Sequence, residues 1–187
     1  MKYFLLLALA IFSVFSASSQ SKKDIKRNRV KTVKVTVTSN KDGKSSTYTE
    51  SFQRFDADAN LTEDRQYDKE GKLESHVITT YNKNGDVTEE KSFDATGKVK
   101  KRTAYKYNTN GDQTEMAKYD GAGSLLEKEL WTYSPTGEKN AEVTFDGKSV
   151  LVKKVLILYD NKGMKTTRLT YDGKGALVTE KKYTYEY

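Results

Sequence analysis

From Phe55 to Tyr185 an aromatic residue returns at gaps that alternate 12, 14, 12, 14 without a break, at positions 55, 67, 81, 93, 107, 119, 133, 145, 159, 171 and 185. Each opens a short unit: aromatic, Asp or Asn, two variable residues, Gly, one more residue, then an aliphatic. The clearest copies are Tyr67-Asp68-Lys69-Glu70-Gly71-Lys72-Leu73, Tyr81-Asn82-Lys83-Asn84-Gly85-Asp86-Val87 and Phe93-Asp94-Ala95-Thr96-Gly97-Lys98-Val99. The true period is therefore a 26-residue pair. A repeat this short cannot bury its own apolar side chains, so stacked copies must share one fold.

The unit has the chemistry of a hairpin. Asp or Asn suits the first position of a type I turn, where its side chain accepts from the following backbone. Gly at the fourth place supplies the positive φ of a three-residue loop with a bulge. The aromatic and the aliphatic six residues on then face each other across two strands. Such pairs contribute roughly 0.2–1 kcal/mol each. Both gaps are even and side chains alternate with period two, which predicts that all the aromatics share one face. That face also takes Thr79, Tyr105, Trp131, Ile157 and Tyr183. The opposite face is expected to be basic, with Lys100, Arg102, Lys106, Lys118, Lys128, Lys154, Arg168 and Lys182. The unequal gaps shift each strand pair along the next. The expected fold is an all-β antiparallel meander of repeated hairpins, either a coiled, staggered sheet or a partly closed barrel.

Ahead of the repeats, Val33, Val35 and Val37 alternate with polar residues, Asn40-Lys41-Asp42-Gly43 is a turn, and Thr47 to Phe52 is a second strand. Residues 30–187 form a single β-repeat domain on this reading. Residues 20–29 read as a basic, mobile arm. Residues 1–19 read as a secretory signal: Lys2, an apolar run from Phe4 to Phe15, then Ala17-Ser18-Ser19. The run is too short to span a bilayer. Export to a periplasm, cell surface or medium is expected. The 187-residue chain has no Cys, which removes disulfides, thiolate metal sites and a cysteine nucleophile. Its single histidine, His76, rules out a multi-histidine metal centre. With 13 Tyr and 7 Phe, the chain is too aromatic for a disordered one.

The Tyr-Asp-x-x-Gly-x-Leu units resemble YD repeats, the building block of RHS and teneurin-type proteins, and are also similar to bacterial repeat antitoxin-like proteins. The resemblance covers about residues 55–187. It implies stacked hairpins, and in the large members a spiral shell, with carbohydrate binding in some. Three copies depart from the pattern: Ala59 replaces Gly, Ser134-Pro135 replaces Asp-x, and Gly147 stands early in Phe145-Asp146-Gly147-Lys148-Ser149.

No linear motif points to catalysis, and an enzyme is not expected. Asp56-Ala57-Asp58-Ala59-Asn60 looks like the start of a calcium loop. It lacks the Gly and Glu that an EF-hand needs at its sixth and twelfth places, so it reads as a hairpin turn. His76 reads as a solvated mid-strand residue. No cofactor is expected. The candidate binding surface is the basic face, with Lys100, Arg102, Lys106 and Lys128 supplying charge and Tyr105 and Trp131 supplying stacking. Its expected partner is an acidic glycan, an envelope polymer or a protein; after export, nucleic acid is not the expected target. Tyr183, Tyr185 and Tyr187 mark the last strand as a pairing edge, for a partner or for self-association. An immunity or antitoxin-like protein is the main rival reading. An outer-membrane barrel is a further alternative, and mid-strand charges on both faces argue against it.

Overall fold

The computed structural model describes residues 21–41 and 44–186. Residues 1–20, which include the segment expected to be an export signal, Asp42-Gly43 of the expected first turn and Tyr187 lie outside the described residues. A short helix, α1 (Lys22–Arg27), precedes twelve strands. These are β1 (Thr32–Lys41), β2 (Lys44–Phe55), β3 (Leu61–Tyr67), β4 (Leu73–Tyr81), β5 (Val87–Phe93), β6 (Val99–Tyr107), β7 (Gln113–Asp120), β8 (Leu125–Tyr133), β9 (Lys139–Asp146), β10 (Leu151–Tyr159), β11 (Lys165–Asp172) and β12 (Leu177–Lys182). They form one antiparallel sheet in strict sequence order. Strands pair only with their sequence neighbours, while Arg168 of β11 reaches Glu142 of β9 across β10 at 3.1 Å.

The turn chemistry holds in every repeat from Phe55 onward. In the turn after β3, Asp68 Oδ1 accepts from Glu70 N at 3.0 Å and Lys72 N at 2.8 Å. Gly71 closes the loop by donating its N–H to the Asp68 carbonyl at 2.9 Å, with φ +80. The departures keep this geometry. Ala59 and Ser149 occupy the glycine position at φ +59 and +62. Ser134 Oγ replaces the carboxylate, accepting from Glu138 N at 3.1 Å. The aromatic and aliphatic partners face each other as expected, for example Tyr67 with Leu73 and Phe93 with Val99.

The sheet is also staggered. Pairing passes from Thr80 to Glu89, Ala104, Ala117, Lys128 and Phe145. That line starts beside the turn after β4 and reaches the opposite end of the sheet at β9. The sheet nevertheless stays open, since β1 and β12 each pair on one side only. The partly closed barrel, and with it the outer-membrane barrel, is therefore corrected. Stagger without contact between first and last strands leaves a coiled ribbon.

The single aromatic face is corrected too. After each turn one residue is skipped in the pairing: Gln66 faces Ser75 while Tyr67 faces Leu73, so Glu74 has no partner. The same bulge follows at Thr88, Lys100, Thr114 and Leu126. An extra residue reverses the alternation and adds local twist. The aromatics at one end of the sheet (Tyr67, Phe93, Tyr119, Phe145, Tyr171) thus lie on one face. Those at the other end (Tyr81, Tyr107, Tyr133, Tyr159) lie on the opposite face. Burial is divided accordingly. Val155 and Ile157 are buried on the Tyr107 face, and Ala117 and Glu63 on the Phe93 face.

The two aromatic rows do different jobs. On the Tyr107 face each tyrosine hydroxyl donates to the backbone carbonyl 20 residues earlier: Tyr81 to Leu61 at 2.9 Å, Tyr107 to Val87 at 2.7 Å, Tyr133 to Gln113 at 2.6 Å and Tyr159 to Lys139 at 2.8 Å. Tyr185 continues the ladder to Lys165 at 2.9 Å. The Phe93 row mixes Phe with Tyr and makes no such ladder. At its end of the sheet the turns crowd instead. A Cβ on Gly121, Gly147 or Gly173 would stand 2.1, 2.2 or 2.1 Å from a backbone oxygen of the preceding repeat.

The basic segment read as a mobile arm is a packed helix. Ser21 caps it, its Oγ accepting from Asp24 N at 3.1 Å and donating to the Asp24 carboxylate at 2.7 Å. Ile25 is buried. Lys22 Nζ reaches Asn60 Oδ1 at 2.6 Å and Lys26 Nζ reaches Asp58 at 3.1 Å, which ties α1 to the turn after β2.

Candidate functional site

The residues expected to form one basic, aromatic surface lie on two faces, because side chains alternate along β6 and β8. Arg102, Lys106 and Lys128 lie on the Phe93 face. Tyr105 and Trp131 lie on the other, where Tyr105 donates to Glu90 at 2.6 Å and Trp131 Nε1 to Glu129 at 2.8 Å. Three of the cations are already partnered. Arg102 bonds Glu89 at 3.1 Å and stacks on the Tyr119 ring at 4.0 Å. Lys106 and Lys128 share Glu115 at 3.1 and 3.4 Å. Burial pushes the Glu115 pKa up, but the two lysines outweigh it and hold the carboxyl below its usual range. Lys100 is the skipped, exposed residue of the bulge between β5 and β6. Tyr183 and Tyr185 are exposed beside β12, whose residues are all exposed.

The structure brings together a different set near the start of the sheet. Lys34 pairs with Phe52, Phe52 with Arg65 and Arg65 with His76, forming one row across β1 to β4 on the Phe93 face. Arg54 and Glu63 pair in the next row. Glu63 is buried at the centre. It accepts from Arg65 Nε at 2.8 Å, meets Arg54 at 3.5 Å and lies 3.0 Å from His76 Nε2. Burial raises the Glu63 pKa, but the bonds from Arg65 and His76 and the neighbouring positive charges more than offset this, so it stays lowered. His76 stacks on Phe93 with ring centroids 4.7 Å apart. The Arg54 and Arg65 guanidinium groups lie 5.9 and 5.8 Å from the Phe52 ring centroid. Thus His76 is a packed side chain and not a solvated one.

Beside this cluster lies a cavity of about 650 Å³, lined by Lys34, Phe52, Arg54, Arg65, Tyr67, Lys69 and Glu70 among others. Such a volume falls in the usual range of roughly 300–1,000 Å³ for small-ligand sites. Four cations line it. Glu63 engages the two arginines and Glu70 lies 3.7 Å from Lys69, while Lys34 has no ion-pair partner among the described residues. An open, net-positive concavity with three aromatic rings, Tyr48, Phe52 and Tyr67, suits an acidic, partly planar ligand such as a sulfated or phosphorylated sugar. Sequence reasoning missed it, because Phe52 and Arg54 precede the repeats. The available signal was the Arg-x-Tyr at 65–67 in register with the Phe-x-Arg at 52–54.

The sequence-noted Asp56 turn is a hairpin turn. Asp56 Oδ1 accepts from Asp58 N and Asn60 N, each at 2.9 Å, and Oδ2 accepts from Asn60 Nδ2 at 2.9 Å. Among the described residues no group of three or more His, Asp or Glu side chains is placed to hold a metal ion.

No protein-family model and no curated protein sequence matches the chain. Solved structures similar to it include a protein of unknown function from Bacteroides fragilis, at 15% identity over 59% of this chain and 94% of that one, with a TM-score of 0.43. Another is a porin-like protein from Bacteroides uniformis, at 11% identity over 79% and 75%, with a TM-score of 0.46. A third is a TcdB2-TccC3-Cdc42 structure, at 10% identity over 78% of this chain and 11% of that one, with a TM-score of 0.26. At such low identities and TM-scores they carry no argument about what this chain binds.

Proposed function

We propose that this protein is an exported, non-enzymatic β-repeat binding module of the cell envelope, built from YD-like hairpins, that recognises an acidic glycan. The observation that carries this reading is the cavity in which Lys34, Arg54, Arg65 and Lys69 surround Phe52 and Tyr67. Cations attract the polymer over a distance that salt shortens. The rings offer flat apolar surface to a sugar or its substituents.

The test is retention on immobilised heparin, a sulfated glycan, across a salt gradient. A Lys34→Glu/Lys69→Glu variant should elute at lower salt than wild type. A Lys100→Glu/Lys154→Glu variant makes the same charge change at exposed positions outside the cavity and should elute between them. Equal loss in both variants would reduce the effect to net charge and defeat the assignment. The rival reading, an immunity-type protein with a protein partner, draws on the fully exposed β12 with its uncovered Leu177 and Val178. A single protein captured from the cell envelope at high salt by wild type and both variants would favour it.

A further inference from the structure

A second cavity, of about 710 Å³, lies between α1 and the turn after β2. Its character is opposite to that of the first. Ile25, Val30 and Phe55 give it an apolar lining, and Arg29 and Lys31 line it as well. Its walls are fixed from two sides, since α1 is bound to the turn through Lys22–Asn60 and Lys26–Asp58, and Phe55 N donates to the Lys31 carbonyl at 2.9 Å. The carboxylate on its lining, Asp56, is spent on its own turn. Arg29 and Lys31 have no ion-pair partner among the described residues.

Arg29 also stands at φ +50, just past the C-terminus of α1, while Val30 N closes back on the Ile25 carbonyl at 3.0 Å. Glycine is the usual residue at such a position. A non-glycine there is strained, and strain of this kind collects at ligand sites. The backbone there directs the exposed Arg29 to the rim of an apolar cavity, where it supplies positive charge.

We propose that this cavity binds a single-chain amphiphile with an acidic head, a monoacyl carboxylate. The acyl chain lies against Ile25, Val30 and Phe55, and the carboxylate meets Arg29 and Lys31. An uncharged lipid would leave both cations unpaired. A polyanionic glycan would leave the apolar wall wet.

The test is calorimetric titration with dodecanoate below its micelle concentration, beside dodecanol. Dodecanoate should saturate at one per chain and bind about tenfold tighter than dodecanol, the worth of one charge-assisted contact. Arg29→Gly relieves the strained backbone, so it should melt no lower than wild type. It should bind dodecanoate about tenfold more weakly while leaving dodecanol unchanged. Val30→Trp, checked by circular dichroism for an intact fold, should fill the cavity and abolish both. Absence of saturation, or unaltered dodecanoate affinity in Arg29→Gly, overturns the proposal. So does retention on anionic phospholipid vesicles that monomeric dodecanoate does not compete away. Failure here leaves the glycan reading standing, because Lys34 and Lys69 do not line this cavity.

Discussion

Replacing Tyr107 and Tyr133 with Phe isolates the ladder hydroxyls from ring packing. Each substitution removes one oxygen that donates to a backbone carbonyl, at 2.7 Å to Val87 and 2.6 Å to Gln113. A net hydrogen bond contributes roughly 0.5–1.5 kcal/mol, and both rings stay half-buried, so about 1 kcal/mol is expected at each site. The two tyrosines lie two strands apart, about 10 Å, with different carbonyl partners, so their effects should add to about 2 kcal/mol. For a chain of this size that lowers Tm by roughly 4–8 °C. Tyr171→Phe supplies the control, since the Phe93 row already accepts Phe at 93 and 145 and should change Tm by less than about 1 °C. Urea titration followed by circular dichroism, and by the fluorescence of Trp131 in β8, reads the result. Stacked repeats can unfold in parts, so the two signals should separate most for Tyr133→Phe, which alters the strand carrying Trp131. Equal losses in the control and the ladder variants would show that ring packing alone holds both rows.

Other expectations follow from the turns and the charges. Ser149→Gly relieves a left-handed serine and should stabilise by about 1 kcal/mol in the same denaturation assay. Gly147→Ala should cost roughly 1–3 kcal/mol, because its Cβ would meet the Leu125 carbonyl oxygen and the turn must move. Buried Glu142 is pushed up by burial but held below the usual carboxylate range by Lys139 and Arg168. A depressed folded-state pKa gives stability that is present above the unfolded value and lost as pH falls through the folded one. Glu142→Gln should therefore flatten the loss of stability at acid pH, read from Tm between pH 6 and 2. Burial raises the pKa of Tyr81, Tyr107, Tyr133 and Tyr159. Their share of stability is complete below pH about 10 and falls as pH rises through the higher folded values. Absorbance at alkaline pH should show a tyrosine fraction that ionises late, together with unfolding.

The sequence revealed the hairpins because Asp68, Gly71 and their equivalents are residue types that only a few backbone geometries favour. It revealed the stagger because 12 and 14 differ. The faces were hidden because a bulge needs no special residue. Glu74 and Lys100 look like any strand residues, yet each reverses the alternation that would have put Tyr81 on the face of Tyr67 and Tyr107 on the face of Phe93. One hint was present at one end of the sheet, where Thr62, Thr88, Thr114 and Thr166 fill the skipped position, and the first three donate to a neighbouring carbonyl. The helix was hidden by its lysines, although Ser21 already supplies an N-cap. The candidate cavity was hidden because it joins β1 and β2, outside the repeat, to β3 and the second repeat turn.

Strict neighbour-to-neighbour pairing also has a mechanical consequence. With backbone pairing confined to sequence neighbours among the described residues, tension applied at the two termini would peel the ribbon from an edge, breaking one ladder at a time like a zip. Each 26-residue pair released would lengthen the tether by about 90 Å at ~3.4 Å per residue. The remaining strands would keep their registers. Such a molecule yields gradually under load and can re-form from whatever part is left folded.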